Sequence, residues 1–343
     1  MKTRSTTATL CATALLTTLL GACGTTDPGT GATGAPAANE SLDCADDTTT
    51  TSTGPVSLTD ALGRTVELDQ PAQRVAVLEW QQIEDVLTLC LTPVAVADVE
   101  GYRTWNTAEE LPDGAADVGG RGEPNLDALF AANPDLVIIE PFGADDAVVE
   151  QLAEYDVPVL ATKGADTADP IQNMLDTFSL IAEATGRQER AELVVDEFTT
   201  GLEQAKQDVV DADLATTEFI YFDGWIQGGN VTLRPFGQGS LVGELGEELG
   251  LTNAWTGEVD PVYGLGQTDI EGVQAVGAAT FFHTGTVDPA GDVLAELAKN
   301  SVWDSLPAVT EGRVYAFPPG VWTFGGPRSS QQILDAYVDL LTS

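Results

Sequence analysis

Short apolar runs alternate along the chain with segments whose apolar residues recur at helical spacing. After a small hairpin over residues 58–68 that turns at Gly63, the apolar runs predict strands at residues 74–78, 94–98, 136–139 and 157–160. The run Leu136–Ile139 has no polar position, which is typical of a strand buried on both faces. Helices are predicted at residues 81–91 and 126–132, so strands and helices alternate as in a parallel sheet covered by helices.

The second half repeats this plan, with strands at residues 218–222, 279–282 and 312–317 and helices at 240–249, 270–276 and 328–342. Residues 170–211 carry no strand signal, and Gly186 divides them into two helices. The second, residues 187–211, would be about 37 Å long at ~1.5 Å per residue. We therefore predict an α/β protein of two Rossmann-like lobes, residues 55–186 and 212–343, joined by one long helix and separated by a cleft that closes only modestly.

The N-terminal residues 1–22 read as a signal peptide, because a basic start is followed by an apolar stretch too short and too Thr-broken to span a membrane. Leu20-Gly21-Ala22-Cys23 resembles a bacterial lipobox, which implies cleavage before Cys23 and a lipid on its sulfur. The alternative is a plain secretory signal with an incidental cysteine. Residues 23–54 are rich in Gly, Thr, Ala and Pro and predict a disordered tether. We thus expect an extracytoplasmic protein anchored to the cell membrane.

Two cysteines remain beyond the lipobox, Cys44 in the predicted tether and Cys90 in the predicted helix 81–91. An extracytoplasmic compartment permits a disulfide between them. The alternative is a buried free Cys90 and an unpaired Cys44, and the sequence leaves both open.

Charge and composition narrow the function. The 343 residues include 14 Lys+Arg and 54 Asp+Glu, a net charge of −40, which excludes sequence-independent binding to nucleic acid. His283 is the single histidine, so a metal site of several imidazoles is excluded. We expect no metal ligand set and no cofactor.

Large aromatic residues and one arginine cluster in the segments that follow predicted strands, where α/β sheets bind their ligands. Of the six tryptophans, only Trp303 is interpreted as core packing. Arg121 lies between two glycines and either pairs with Glu123 or Asp117 or points its donors at ligand oxygens. Arg103 and Arg234 are weaker candidates of the same kind. The candidate ligand-binding residues are Trp80, Tyr102, Trp105, Arg121, Phe142, Trp225, Trp255, Tyr263, Trp322 and Phe324.

These motifs resemble the ferric-hydroxamate-siderophore-binding proteins of bacterial ABC importers. The resemblance covers roughly residues 57–342 and is carried by Val77-Leu78-Glu79-Trp80, Gly101-Tyr102-Arg103-Thr104-Trp105, Leu111-Pro112, Asp117-Val118-Gly119-Gly120-Arg121-Gly122-Glu123-Pro124-Asn125-Leu126, Asn253-Ala254-Trp255-Thr256-Gly257-Glu258 and Pro319-Gly320-Val321-Trp322. It implies a class III, chelatase-like binding protein, active as a monomer, that captures a ferric siderophore and delivers it to a permease and its ATPase.

The resemblance also assigns roles to single residues. Arg121 would bond the hydroxamate oxygens around iron, and an aromatic wall would consist of Trp80, Trp105, Trp255, Tyr263 and Trp322. Acidic residues that dock on the permease would be Asp127 and Glu271, each in the first turn of a short helix. The family carries a tyrosine just beyond the strand 136–139, whereas this chain has Phe142 and Gly143 there.

The alternative to a binding protein is an extracytoplasmic enzyme that acts on a small molecule in the same cleft. Such an enzyme needs a base and a nucleophile there, and the sequence shows no such set. The segment Gly237–Gly243 is interpreted as a turn in which Ser240 caps a helix, not as a dinucleotide loop, and His283 as a structural residue. A binding protein for ferric citrate, a catecholate, haem or cobalamin is also left open. Which siderophore is bound, and whether Trp225 or Arg234 contacts it, does not follow from the sequence.

Overall fold

The computed structural model of the protein describes residues 44–285 and 292–342. The predicted signal peptide, Cys23 and most of the predicted tether lie outside the described residues. The predicted hairpin is confirmed, with β1 (Val56–Thr59) paired antiparallel to β2 (Thr65–Leu68). Gly63 in its turn has φ 74°, a backbone conformation that glycine adopts without strain. No helix within the described ranges is both long and apolar enough to cross a membrane.

The first lobe is built on a five-stranded parallel sheet in the order β5-β4-β3-β6-β7. Its strands are β3 (Val75–Val77), β4 (Ala95–Val96), β5 (Ala116–Asp117), β6 (Leu136–Ile139) and β7 (Val159–Ala161). Its helices are α1 (Trp80–Thr88), α2 (Val99–Trp105), α3 (Leu126–Ala131) and α4 (Ala147–Leu152). Every residue of β6 is buried, as its unbroken apolar run predicts, because helices cover both faces of the sheet.

Two helices without a strand between them connect the lobes. They are α5 (Pro170–Thr185) and α6 (Gln188–Asp211), and Gly186 ends α5 in the left-handed conformation with φ 71°. The 24 residues of α6 form one unbroken helix. The predicted long helix is therefore confirmed to within one residue.

The second lobe also contains a five-stranded sheet, but a mixed one. Parallel strands run in the order β10 (Thr252–Asn253), β8 (Glu218–Gln227), β11 (Thr280–His283) and β12 (Val314–Ala316), and β9 (Asn230–Pro235) pairs antiparallel with β8. The helices are α7 (Leu241–Glu248), α8 (Val293–Leu297), α9 (Ser301–Asp304), α10 (Pro307–Thr310) and α11 (Pro327–Thr342). Ser240 caps α7 as expected, and Trp303 is buried in the core.

The hairpin β8–β9 corrects the sequence prediction, which ended the strand at residue 222. Beyond Phe222 the strand leaves its parallel neighbours and continues to Gln227, where Gly228 and Gly229 turn the chain back. Trp225 therefore lies within a strand and not in a loop. The predicted helix 270–276 is likewise only a 3₁₀ helix, Gly272–Val276.

The segment before β1 corrects the predicted extent of the tether. A disulfide joins Cys44 to Cys90, which follows the end of α1. Asp47 forms an ion pair with the buried Arg187, and the Ser52 N–H donates to the Gly186 carbonyl at 2.8 Å. Residues 44–54 are thus attached to the globular part of the chain. Their polar composition indicated no buried surface, but a covalent bond and polar contacts hold them.

We predict that replacing both cysteines, Cys44→Ser with Cys90→Ser, lowers the free energy of unfolding by about 2–4 kcal/mol. The disulfide closes a loop across a sequence separation of 46, so its loss restores conformational entropy to the unfolded chain. Urea denaturation followed by tryptophan fluorescence measures the difference. Adding a reductant to the wild-type protein should reproduce the variant's midpoint, and equal stabilities of oxidised wild type and variant would contradict the prediction.

Candidate functional site

A cavity of about 720 Å³ lies where the carboxyl ends of the two sheets face each other, and residues of both lobes line it. This volume falls within the range of ~300–1,000 Å³ that small-molecule sites usually have. Five of the ten candidate residues line it, namely Arg121 and Phe142 from the first lobe and Tyr263, Trp322 and Phe324 from the second. A cavity is therefore present between the lobes, where the sequence predicts the site.

Trp80 lies beneath the cavity and supports the residues that line it. Its ring is buried, packs edge-on against Trp322 with centroids 4.7 Å apart, and lies 3.8 Å from the guanidinium carbon of Arg121. Gly101 of α2 allows this packing, since a Cβ there would meet the Trp80 ring at 2.2 Å. A stacked guanidinium over an indole is a favourable cation–π contact, so Trp80 holds Arg121 in place.

The other four candidates do not line the cavity. Tyr102 is buried and its hydroxyl donates to the Glu109 carbonyl at 2.8 Å, while Trp255 is buried in the core of the second lobe. Trp105 and Trp225 are 37% and 41% exposed. Tyr102 and Trp105 lie on α2, a helix that the sequence prediction missed. Asp98 caps this helix and has a left-handed backbone conformation.

Arg121 forms an ion pair, but not with either of the partners that the sequence suggested. Its guanidinium forms an ion pair with Glu79, and Asp98 lies 4.0 Å away, so neither Glu123 nor Asp117 is its partner. About a third of its side chain, 35%, stays exposed at the cavity. Guanidinium donors not used by Glu79 can bond a ligand.

A second arginine lines the cavity from β9, the strand that sequence analysis missed. Arg234 stands opposite Asp223 in the β8–β9 register and donates twice to its carboxylate, with Nε at 2.9 Å from Oδ1. Burial raises the pKa of Asp223, and the hydrogen bonds from Arg234 oppose that shift. Each cavity arginine thus has a carboxylate partner from its own lobe.

Glu140 is a lining residue that the sequence analysis did not single out. It follows β6, and its oxygens accept from the Tyr263 hydroxyl at 2.9 Å and from Gln82 Nε2 at 2.8 Å. Burial, with the nearby Glu79 carboxylate, raises the pKa of Glu140 to about 7. Because Tyr263 belongs to the second lobe, this hydrogen bond crosses the cleft. Glu79 and Glu140 each follow the carboxyl end of a strand, as the candidate aromatic residues do. This position in the sequence could have identified both carboxylates as candidates.

Other expected residues lie away from the cavity. His283 stacks on Phe222, and its Nδ1 lies 3.1 Å from the Thr284 carbonyl oxygen, in keeping with a structural role. Asp127 is exposed in the first turn of α3 as expected, whereas Glu271, also exposed, only precedes the 3₁₀ helix. In the part of the chain that the structure describes, no cluster of three His, Cys, Asp or Glu residues could hold a metal ion.

The two α/β lobes, the long connecting helix and a cleft lined by aromatic rings and arginine are the architecture of a substrate-binding protein. A family model described as "Periplasmic binding protein" matches residues 75–320, and the chain belongs to this family. Since this is a family of binding proteins, the protein is not an enzyme, and the alternative from that class is set aside.

Individual relatives agree with this assignment. The chain is 26% identical over 268 residues to the iron(3+)-hydroxamate-binding protein FhuD of Escherichia coli, covering 76% of this chain and 84% of the relative, which confirms the resemblance found in the sequence. It is 27% identical to the putative ABC transporter substrate-binding lipoprotein YhfQ of Bacillus subtilis, covering 78% of this chain and 82% of the relative. The crystal structure of the siderophore-binding protein FhuD from Vibrio cholerae with Fe3+–Desferal has the same fold, with a TM-score of 0.67, 23% identity, and 79% and 98% of the two chains covered.

We predict that Tyr263→Phe raises the pKa of Glu140 above its value of about 7, because the hydroxyl that stabilises the ionised carboxylate is removed. Carboxyl carbon chemical shifts in an NMR titration report this pKa, and the signal is assigned by its absence from Glu140→Gln. An unchanged or lower pKa of Glu140 in the Phe variant would show that the hydrogen bond across the cleft does not form.

Proposed function

We propose that the protein is the lipid-anchored, extracytoplasmic binding component of an ABC importer and captures a ferric siderophore of the hydroxamate type. The observation that carries this proposal is the lining of the cavity, which combines aromatic rings from both lobes with a stacked arginine. A ferric siderophore carries its iron already fully coordinated, so this ligand needs walls and hydrogen-bond donors from the protein and no metal ligands.

Charge favours a hydroxamate over an anionic chelate. Arg121 and Arg234, the arginines among the described lining residues, are paired with Glu79 and Asp223, and Glu140 and Asp146 add further carboxylates to the lining. A catecholate or citrate complex carries several negative charges and needs unpaired cations around it. A ferric tris-hydroxamate core is neutral, and it asks only for apolar walls and hydrogen-bond donors.

The cavity supplies both requirements. Trp322, Phe324 and Phe142 present ring surface, and Phe142 is 91% exposed at the rim. Arg121 supplies donors toward the hydroxamate oxygens from a position that Trp80 holds. The Tyr263 hydroxyl donates to Glu140, so it is not the donor that replaces the missing tyrosine at Phe142.

We predict that Arg121→Ala weakens the binding of ferric desferrioxamine about 10- to 150-fold, since a charge-assisted hydrogen bond is worth ~1.5–3 kcal/mol. Quenching of tryptophan fluorescence measures the dissociation constant. Arg103→Ala is the matched control, because Arg103 carries the same charge but pairs with Asp113 outside the cavity. Equal affinities of the Arg121 variant and the wild type would refute the role of Arg121.

Delivery to a permease completes the proposal. Lipid on Cys23 would keep the protein at the membrane, in line with the lipoprotein among its relatives. Asp127 and Glu271 present exposed carboxylates on different lobes, so one flat partner with basic residues could engage both. A helix N-terminus also favours a carboxylate such as Asp127 for local reasons, which is why docking requires a direct test.

We predict that Asp127→Lys with Glu271→Lys abolishes siderophore-dependent stimulation of the permease ATPase in reconstituted membranes while siderophore affinity stays unchanged. Both residues lie outside the cavity, so the charge reversal acts on docking alone. Glu67→Lys with Glu218→Lys is the control, with the same charge change at exposed positions of β2 and the amino end of β8. Full stimulation by the first double variant would place docking on other residues.

A further inference from the structure

The charged side chains that line the cavity differ in whether an opposite charge lies beside them. Among the described lining residues, Arg121 is paired with Glu79, and Arg234 is paired with Asp223 behind it. Asp146 caps α4, where its oxygens accept from the backbone N–H groups of Val148 and Phe142 at 3.2 Å. Glu140 follows β6 and caps no helix, and the donors to its oxygens are the neutral amide of Gln82 and the neutral hydroxyl of Tyr263, not an arginine.

Glu140 is also the lining carboxylate whose ionised form is most costly. Burial and the neighbouring Glu79 both act against its negative charge, and Arg121, whose charge favours the ionised form, is already paired with Glu79. A glutamine could accept the hydrogen bond from Tyr263 without this cost. The hydrogen bond across the cleft therefore does not by itself explain a carboxylate at this position.

The surroundings keep the Glu140 carboxylate at the cavity surface. Gly164 lies against it, and a Cβ on Gly164 would come within 2.0 Å of Glu140 Oε1 and 2.7 Å of the Tyr263 hydroxyl. Any larger residue at Gly164 would thus displace the carboxylate or the tyrosine. Gly164 and Glu140 both line the cavity, so a bound ligand reaches the carboxylate there.

We propose that the cavity prefers ferric siderophores that carry a positive charge, and that Glu140 is the specificity-determining residue that receives it. This inference rests on the proposed function and specifies the charge of the ligand. The fitting chemistry is a tris-hydroxamate chelate with a pendant ammonium group, whose N–H donors and charge pair with the carboxylate. The chelate itself would lie against the aromatic rings and Arg121.

The test compares two ligands that differ in one charge. Ferric desferrioxamine B carries a free ammonium, and its N-acetylated ferric complex has the same chelate without that charge. Fluorescence quenching at pH 8 should show that the wild-type protein binds the ammonium form about 10-fold more tightly, as expected for one charge-assisted contact. In Glu140→Gln the ratio of the two dissociation constants should fall to about 1. The control Asp145→Asn removes an exposed carboxylate outside the cavity and should keep the wild-type ratio.

A second measurement needs no variant. The pKa of Glu140 is raised to about 7, so its carboxylate loses charge as the pH falls through 7, and the preference for the ammonium form should decline between pH 8 and pH 6. The groups that face Glu140 are Glu79 and Arg121, Tyr263 from the second lobe, and Asp85 and Gln82 on α1. Burial raises the pKa of both Asp85 and Tyr263 well above the usual values. In Glu140→Gln the ratio should not change with pH.

The outcomes separate the inference from the function on which it rests. If the wild type binds both complexes equally at pH 8, the inference is overturned and the hydroxamate assignment stands. If it binds neither, the proposed function fails. A preference that persists in Glu140→Gln, or that does not vary with pH in the wild type, would assign charge selection to another carboxylate and refute the role of Glu140.

Discussion

The geometry of the cleft depends on one buried carboxylate at the junction of the lobes. Glu84 on α1 accepts from the Ser329 N–H at 2.8 Å and from the Ser329 hydroxyl, both in the first turn of α11, and from Asn106 Nδ2 at 2.7 Å. Glu84 and Ser329 are fully buried. Burial raises the pKa of Glu84, and the donors that surround it oppose that shift. Since α1 belongs to the first lobe and α11 to the second, these bonds set the distance between the walls of the cavity.

Two further features hold the elements around this junction close together. Glycines allow the chain to approach the Glu84 site closely, and a Cβ on Gly326 would come within 2.1 Å of the Asp85 carboxylate. The unbroken helix α6 packs along α11 and α5. The hydrogen bond from Tyr263 to Glu140 adds a contact between the lobes on the cavity side. Contacts at Glu84 and at Glu140 thus join the two walls of the cleft.

Most of the architecture was predictable because buried parallel strands require unbroken apolar runs such as Leu136–Ile139, and because Gly186 marks a helix end unambiguously. The strand β9 was missed although Asn230, Thr232 and Arg234 alternate with apolar residues as in a half-buried strand, because the segment is only six residues long. The aromatic residues after strands did not by themselves identify the lining of the cavity. A tryptophan in this position can pack into a core, as Trp255 does, or line the cavity, as Trp322 does.

The acidic residues of the cavity were not identified from the sequence. The chain has 54 Asp and Glu residues, so a carboxylate at a strand end is not distinctive, although Glu79 and Glu140 contribute negative charge to the cavity. Arg121 was recognised from its glycine neighbours, but its partner is 42 residues away in sequence, and only the fold brings Glu79 to it.

The Cys44–Cys90 disulfide fixes the side of the globular part on which the N-terminal segment is attached. Because α1 runs back across the sheet, Cys90 and the Cys44 bonded to it lie at the edge opposite Glu79 and the cavity. If the protein is anchored at Cys23 as proposed, the attachment would reach the globular part at Cys44, on the side away from the cavity. With the attachment on that side, the mouth of the cleft would stay open to a ligand and to the proposed permease.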